Sequence, residues 1–188
     1  FRAAYPAVEL DLVLSDVNLD LVAERIDLAV RLGAQVGGDL IVTKLKETSY
    51  RVCASPAYLA KENWPASPHE LAHRDCLRFA LPGFRSRWLF RKADEQAFEV
   101  PVRGSLMMSG ALALHELALS GMGPVLLANW LVDEDIAAGR LVNLFPDYQV
   151  TATSFDTAVW LLYPSRSFLP LKVRAMVDFL RAAVLAGT

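Results

Sequence analysis

His69-Glu70-Leu71-Ala72-His73 spells HExxH, the spacing at which two imidazoles on one face of a helix bind zinc while the glutamate between them serves as general base. A third protein ligand and an open coordination position would complete such a centre. Glu95 and Glu99 follow, but within a stretch that reads as a hairpin turn and its exit strand. The same residues have a plainer use. Ser67 as cap, Pro68 at the first helical position and Glu70 at the third form S-x-x-E, a capping box whose carboxylate turns back on the chain entry. Asp75-Cys76 then leads straight into the apolar run LRFAL, so the helix has fewer than two turns and no metal is expected. His115-Glu116 opens a similar string, HELAL, without the second His, and reads as a partly exposed helix position. GxSxG and a P-loop are absent, and GMG at Gly121–Gly123 follows a helix and is too short for a dinucleotide fingerprint. No catalytic residue and no cofactor are expected.

Binding positions are another matter. In open α/β sheets, ligands meet the carboxyl ends of strands and the N-termini of helices. Ser15 ends the first alternating run, Arg31 ends the second apolar run, and Ser109 with Gly110 opens a long helix. Arg31 either holds a carboxylate bidentately or pairs with Asp16 or Asp27.

The elements that must position these residues follow from periodicity. Val8, Leu10, Leu12 and Leu14 alternate with Glu9, Asp11, Val13 and Ser15, a strand with one buried face. Asp20–Glu24 reads as a short helix, and Asp27–Leu32 as a strand apolar enough for parallel pairing inside a covered sheet. Thr43–Ala54 extends again, and Ser55-Pro56 opens a helix at Ala57–Ala60. Short aromatic runs between Leu77 and Val102 turn at Ala93–Gln96. Ser109 caps a helix stopped by Gly121 and Gly123, Pro124–Leu127 is a buried strand, Trp130–Ala138 is a helix ended by Gly139, and Leu141–Leu144 extends. Asp156–Pro164 is a buried strand, and a last helix carries Val173, Met176, Val177, Leu180 and Val184 on one face. The order favours an α/β layer architecture.

Composition bounds the function. With 54% hydrophobic and 21% charged residues, 188 residues suffice for one large domain or two small lobes. A net charge of -2 argues against this segment gripping DNA, because phosphate contacts need clustered Lys and Arg. The densest basic group, Arg85, Arg87, Arg91 and Lys92, reads as a solvated hairpin. Cys53 and Cys76 lie too far apart for a CxxC pair; cytoplasmic thiols fit, with Cys53 a small core residue. No apolar run approaches the roughly 18 residues of a membrane helix. The opening FRAAYP looks like a helix's last turn without initiator Met or signal peptide, as in a fragment.

The helix, glycine break, strand, helix and strand from Ser109 to Leu144, with YPSRSFLPLKVRAMVDFL at Tyr163–Leu180, resemble the effector-binding domain of LysR-type transcriptional regulators. YPAVELDLVLSD, RIDLAVRLG, YRVCASPAYLA and PHELAHRDCLRF stand in that family's order, so the resemblance covers nearly the whole chain. It implies an α/β, two-lobed periplasmic-binding-protein-like (type II) fold: residues 1–77 and 155–188 form lobe I, and 78–154 lobe II. Two crossing strands, near Arg78–Ala80 and Ala152–Thr157, would join the lobes, and the N-terminal strand of lobe I would be missing. It adds Phe79 and Ala80 to the cleft, with the turn at Met122, Gly123 and Pro124 behind them. Gly110 stands where the family often has an amide, which leaves the ligand class open, and Met107 and Met108 read as packing residues. The implied function is regulatory: a small anionic or aromatic effector binds between the lobes of a bacterial, cytoplasmic regulator. Such a regulator forms a homodimer or tetramer through Phe1–Leu14 and Leu112–Ser120, touches DNA only through a winged helix-turn-helix upstream, and has no membrane contact. The alternatives are a transporter's solute-binding protein and an HExxH zinc peptidase.

Overall fold

The computed structural model describes residues 1–15, 19–33, 40–164 and 169–186. They form two compact units, one of residues 1–47 with 157–188 and one of residues 48–156.

In the first unit an antiparallel sheet runs β1 (Ala29–Gly33), β11 (Ala158–Pro164), β2 (Leu40–Glu47). β11 is central, so both its faces are covered and nearly every residue is buried. Because side chains alternate across a strand, Leu161 and Tyr163 meet Val173 and Val177 of α4 (Leu171–Ala186), while Ala158, Trp160 and Leu162 meet Leu21 on the other face. Trp160 Nε1–H donates to the Gly33 carbonyl at 2.8 Å, satisfying its polar tip.

Three expectations for this unit are corrected. Val8–Ser15 forms no strand; Leu12, Val13 and Leu14 are exposed, because alternation supplies a face but no partner to bond with. Asp20–Glu24 is one turn, held by the Asp20 carboxylate accepting from the Val22 and Ala23 N–H groups. β1 pairs antiparallel, among the described residues only with β11, and its residues are half-buried or exposed.

In the second unit, β6 (Phe98–Pro101), β5 (Arg87–Arg91), β10 (Gln149–Thr151), β3 (Tyr50–Ala54) and β8 (Val125–Ala128) stand side by side, with β9 (Val142–Asn143) also on β3. Tyr50, Val52, Ala54, Trp88, Phe90, Val100 and Leu126 point into one core. Cys53, Val125 and Leu127 point to the other face, where α2 (Ala111–Leu119) adds Leu114 and Ala118 and α3 (Asn129–Ala137) adds Val132. β3 therefore bonds into this sheet, and residues 48–77, assigned to the first lobe from sequence, lie here instead. The chain passes between units at Glu47/Thr48 and Asp156/Thr157; Arg78–Ala80 is internal to the second unit. The basic group Arg85–Lys92 does lie in a hairpin, β5 with β6, as expected. Ser55 caps α1 (Pro56–Glu62) by accepting from the Tyr58 N–H at 3.2 Å.

Candidate functional site

Parallel pairing, expected for Asp27–Leu32, occurs instead around residues 75–80. β4 (Arg78–Phe79) pairs parallel with β7 (Met107–Met108), and the bridges Asp75–Arg103 and Leu77–Val125 continue the register on either side. The Cys76 and Ala80 N–H groups donate to the Arg103 and Met108 carbonyls, and the Leu77 N–H donates to Pro124, each at 2.8–2.9 Å. Glycine permits this approach. A Cβ on Gly104 would stand 1.9 Å from the Cys76 carbonyl oxygen, and one on Gly123, at φ +154°, would stand 2.5 Å from that of Asp75.

Three segments thus run the same way, and their carboxyl ends lie at one end of the set: Phe79-Ala80, Met108 with Ser109-Gly110, and Ala128. Two helices start there, α2 after Gly110 and α3 after Ala128, and neither has a side-chain cap bond, although the first N–H of α3, on Asn129, donates to the Ser49 carbonyl at 2.8 Å. Uncapped N–H groups at a helix start favour a carboxylate or phosphate. Ser109 was expected to cap α2; Gly110 takes that position, at φ +109°, with open space where a Cβ would be. Phe79 and Met108 are half-buried against the cores, while Met107 is exposed.

The other expected residues stand elsewhere. Met122 and Gly123 precede β8, at the amino end of the set beside Asp75, away from Ala80 and Ser109. Ser15 and Arg31 belong to the first unit. Ser15 is exposed and outside any strand. Arg31 sits mid-strand, opposite Trp160, and its guanidinium donates to the Leu19 carbonyl. Asp16 lies outside the described residues, and Asp27 is taken by Lys172 at 2.6 Å.

The HExxH residues do not share a face. Pro68–His73 is a 3-10 helix, in which positions four apart are separated by about 120° rather than the roughly 40° of an α-helix. His69 stacks on Phe98 with ring centroids 4.9 Å apart. Glu70 accepts from the Ala66 N–H at 3.1 Å and lies 3.7 Å from Arg74, so it turns back as expected, one residue earlier than a capping box would place it. Ser67 makes no side-chain cap bond. Among the described residues no group of three or more His, Cys, Asp or Glu side chains gathers to hold a metal ion.

Sequence reasoning missed a buried polar network. His115, expected to be partly exposed, is buried on α2, with Nε2 at 2.6 Å from the Asp135 carboxylate of α3; Arg140 donates to the other oxygen. The bonds from Arg140 and His115 hold the Asp135 carboxyl below its ordinary range. Hydrogen bonds from the Ser105 hydroxyl and N–H do the same for Asp75. Burial pushes the Cys53 and Cys76 thiols up to about 12, so both are inert core residues.

Known proteins resemble this chain along nearly all its length. The family described as the LysR substrate binding domain matches residues 1–185. The HTH-type transcriptional regulator PtxR of Pseudomonas aeruginosa is 34% identical over 181 residues, 96% of this chain and 56% of that protein. DmlR of Escherichia coli, another HTH-type transcriptional regulator, is 36% identical over 180 residues, 95% of this chain and 56% of the relative. The chain thus spans a little more than half the length of these relatives. The solved regulatory domain of CrgA, a LysR-type transcriptional regulator from Neisseria meningitidis, superposes with a TM-score of 0.81 at 34% identity, covering 97% of this chain and 87% of that one. These proteins are regulators, neither transporter components nor peptidases. With two compact α/β units and a family match over residues 1–185, the chain belongs to the LysR substrate-binding domain family, the effector-binding domains with the two-lobed, type II periplasmic-binding-protein-like fold.

Proposed function

We propose that this chain is the sensing part of a transcriptional regulator: it binds a small effector and catalyses nothing. The observation that carries the reading is the family match over residues 1–185, together with curated relatives named as HTH-type transcriptional regulators. In a protein built like those relatives, DNA is read by a helix-turn-helix outside the matched region. The protein works in the cytoplasm, as a homodimer or tetramer. Phe1–Leu14 and Leu112–Ser120 are the self-association surfaces; Leu112 is exposed, as such a surface requires.

Phe79, Ala80, Ser109 and Gly110 are the second unit's effector-binding residues, supported by their position at the carboxyl ends of parallel segments beside an uncapped helix start. Ser15 and Arg31, in the first unit, are separate ligand-binding candidates, Arg31 through the guanidinium donors not spent on Leu19. The effector is a small carboxylate or an aromatic. An effector shifts such a domain only through its different affinity for two arrangements, and that difference is what reaches the DNA reader.

A thermal-shift screen of small carboxylic acids and aromatics tests the reading. A hit raises Tm, and its amide perturbations by NMR fall on residues 79–80 and 109–111. Arg31→Ala abolishes the shift for an anionic hit. Perturbations confined to other residues overturn the site; an unchanged shift removes Arg31 from it; conversion of the hit to product overturns the non-catalytic reading.

A further inference from the structure

The amino end of the parallel set in the second unit carries polar groups that neither the core nor the proposed effector site uses. There His73, Arg74, Asp75, Arg103, Gly104 and Ser105 line a depression of about 360 Å³. Its cations are unevenly committed. Arg74 is fixed, donating to the Glu62 carbonyl at 2.9 Å and lying 3.7 Å from Glu70. The side chains of Arg103 and His73 make no hydrogen bond or ion pair among the described residues, although Arg103 lies close enough for its charge to act on Asp75. The one carboxylate in the lining has its oxygens hydrogen-bonded and keeps its charge, which Arg78 and Arg103 offset. Asp75 accepts from the Ser105 N–H at 2.6 Å on one oxygen and from the Ser105 hydroxyl at 2.7 Å on the other. Gly104, whose Cβ would collide with the Cys76 backbone, holds this loop hard against the segment, so the depression rests on a rigid backbone.

From this arrangement we infer a second ligand site, distinct from the carboxyl-end site, that takes a small free oxyanion, phosphate or carboxylate. Arg103 supplies the planar fork that matches two anion oxygens, Arg74 supplies fixed positive charge, and His73 supplies a ring N–H. A nucleic-acid backbone fits less well. It needs a track of cations, and the other arginines of the second unit are spent: Arg51 on Asp133, Arg78 on the Arg85 and Gly104 carbonyls, Arg85 on Ala80, Arg87 on Glu99, Arg91 on Gln149 and Arg140 on Asp135.

The test titrates this chain with sodium phosphate and, separately, sodium succinate, each against sodium chloride at matched ionic strength, and follows backbone amides by NMR. Saturable perturbation of residues 73–76 and 103–105 by one of the two anions is expected, without movement at 79–80 or 109–111, and the anion that binds identifies the source. Arg103→Ala weakens binding at least tenfold and leaves the other amides in place; Arg103→Lys weakens it less. Perturbations that chloride reproduces, perturbations centred on 109–111, saturation by neither anion, or an Arg103→Ala titration like the parent's would each overturn the site.

Discussion

Two close polar pairs of equal length sit in opposite surroundings in the two units. Lys172 and Asp27 meet at 2.6 Å in the first unit, with side chains 56% and 42% exposed. His115 and Asp135 meet at 2.6 Å in the second, with side chains 11% and 10% exposed. Distance alone would rank them equal. Water decides otherwise: the exposed pair exchanges one good solvation shell for another and is screened by salt, whereas removing one member of the buried pair strands polar groups away from water, with Arg140 the other partner of Asp135. The second unit also packs two extended cores around one sheet, while the first packs two small clusters around β11 and leaves Leu12, Val13 and Leu14 in water. Substitutions should therefore cost far more in the second unit.

The largest loss is expected at Gly104. Gly104→Ala puts a methyl group into the Cys76 backbone and should cost at least about 3 kcal/mol by urea unfolding, since neither strand can retreat without breaking the parallel register. A neutral result would mean that the close approach does not exist. Asp135→Asn comes next, at about 2–3 kcal/mol, because it strips the carboxylate from both His115 and Arg140. It also changes the response to acid. The folded-state pKa of Asp135 lies below its ordinary value of 3.8, so the unfolded chain takes up the proton first. The stabilisation is whole above that value and drains away as pH falls through the folded pKa; the variant should lose this part of the slope. The smallest effect is Lys172→Ala, under about 1 kcal/mol and vanishing in high salt. If Lys172→Ala costs as much as Asp135→Asn, burial is not what separates the two pairs.

Much of this was legible beforehand because it is local. Ser55-Pro56 announces α1, and Gly139, at φ +73°, stops α3 where a left-handed residue is needed. The apolar run at Val125–Leu127 could only be a covered strand. What misled was pairing. Val8–Leu14 alternates except at Val13, yet a strand exists only with a neighbour. His115 looked half-exposed because its partner Asp135 is 20 residues away on another helix. HExxH matches the zinc spacing only as a string of letters, which does not reveal whether the helix under it has 3.6 residues per turn or 3.0; the cap reading already argues against metal. Within the proposed effector site, Phe79, Ala80, Ser109 and Gly110 do share one end of the parallel set; Met122 and Gly123 turn out to mark the other.

By itself, the sequence determined the family, the α/β class and the stops and starts of most elements, since these depend on residue types within a few positions of one another. Only the tertiary structure decided which unit owns residues 48–77, which strands run parallel, and which polar groups are buried together. Those depend on bonds between segments far apart in the chain, where many registers satisfy the same local pattern and the packed core selects one.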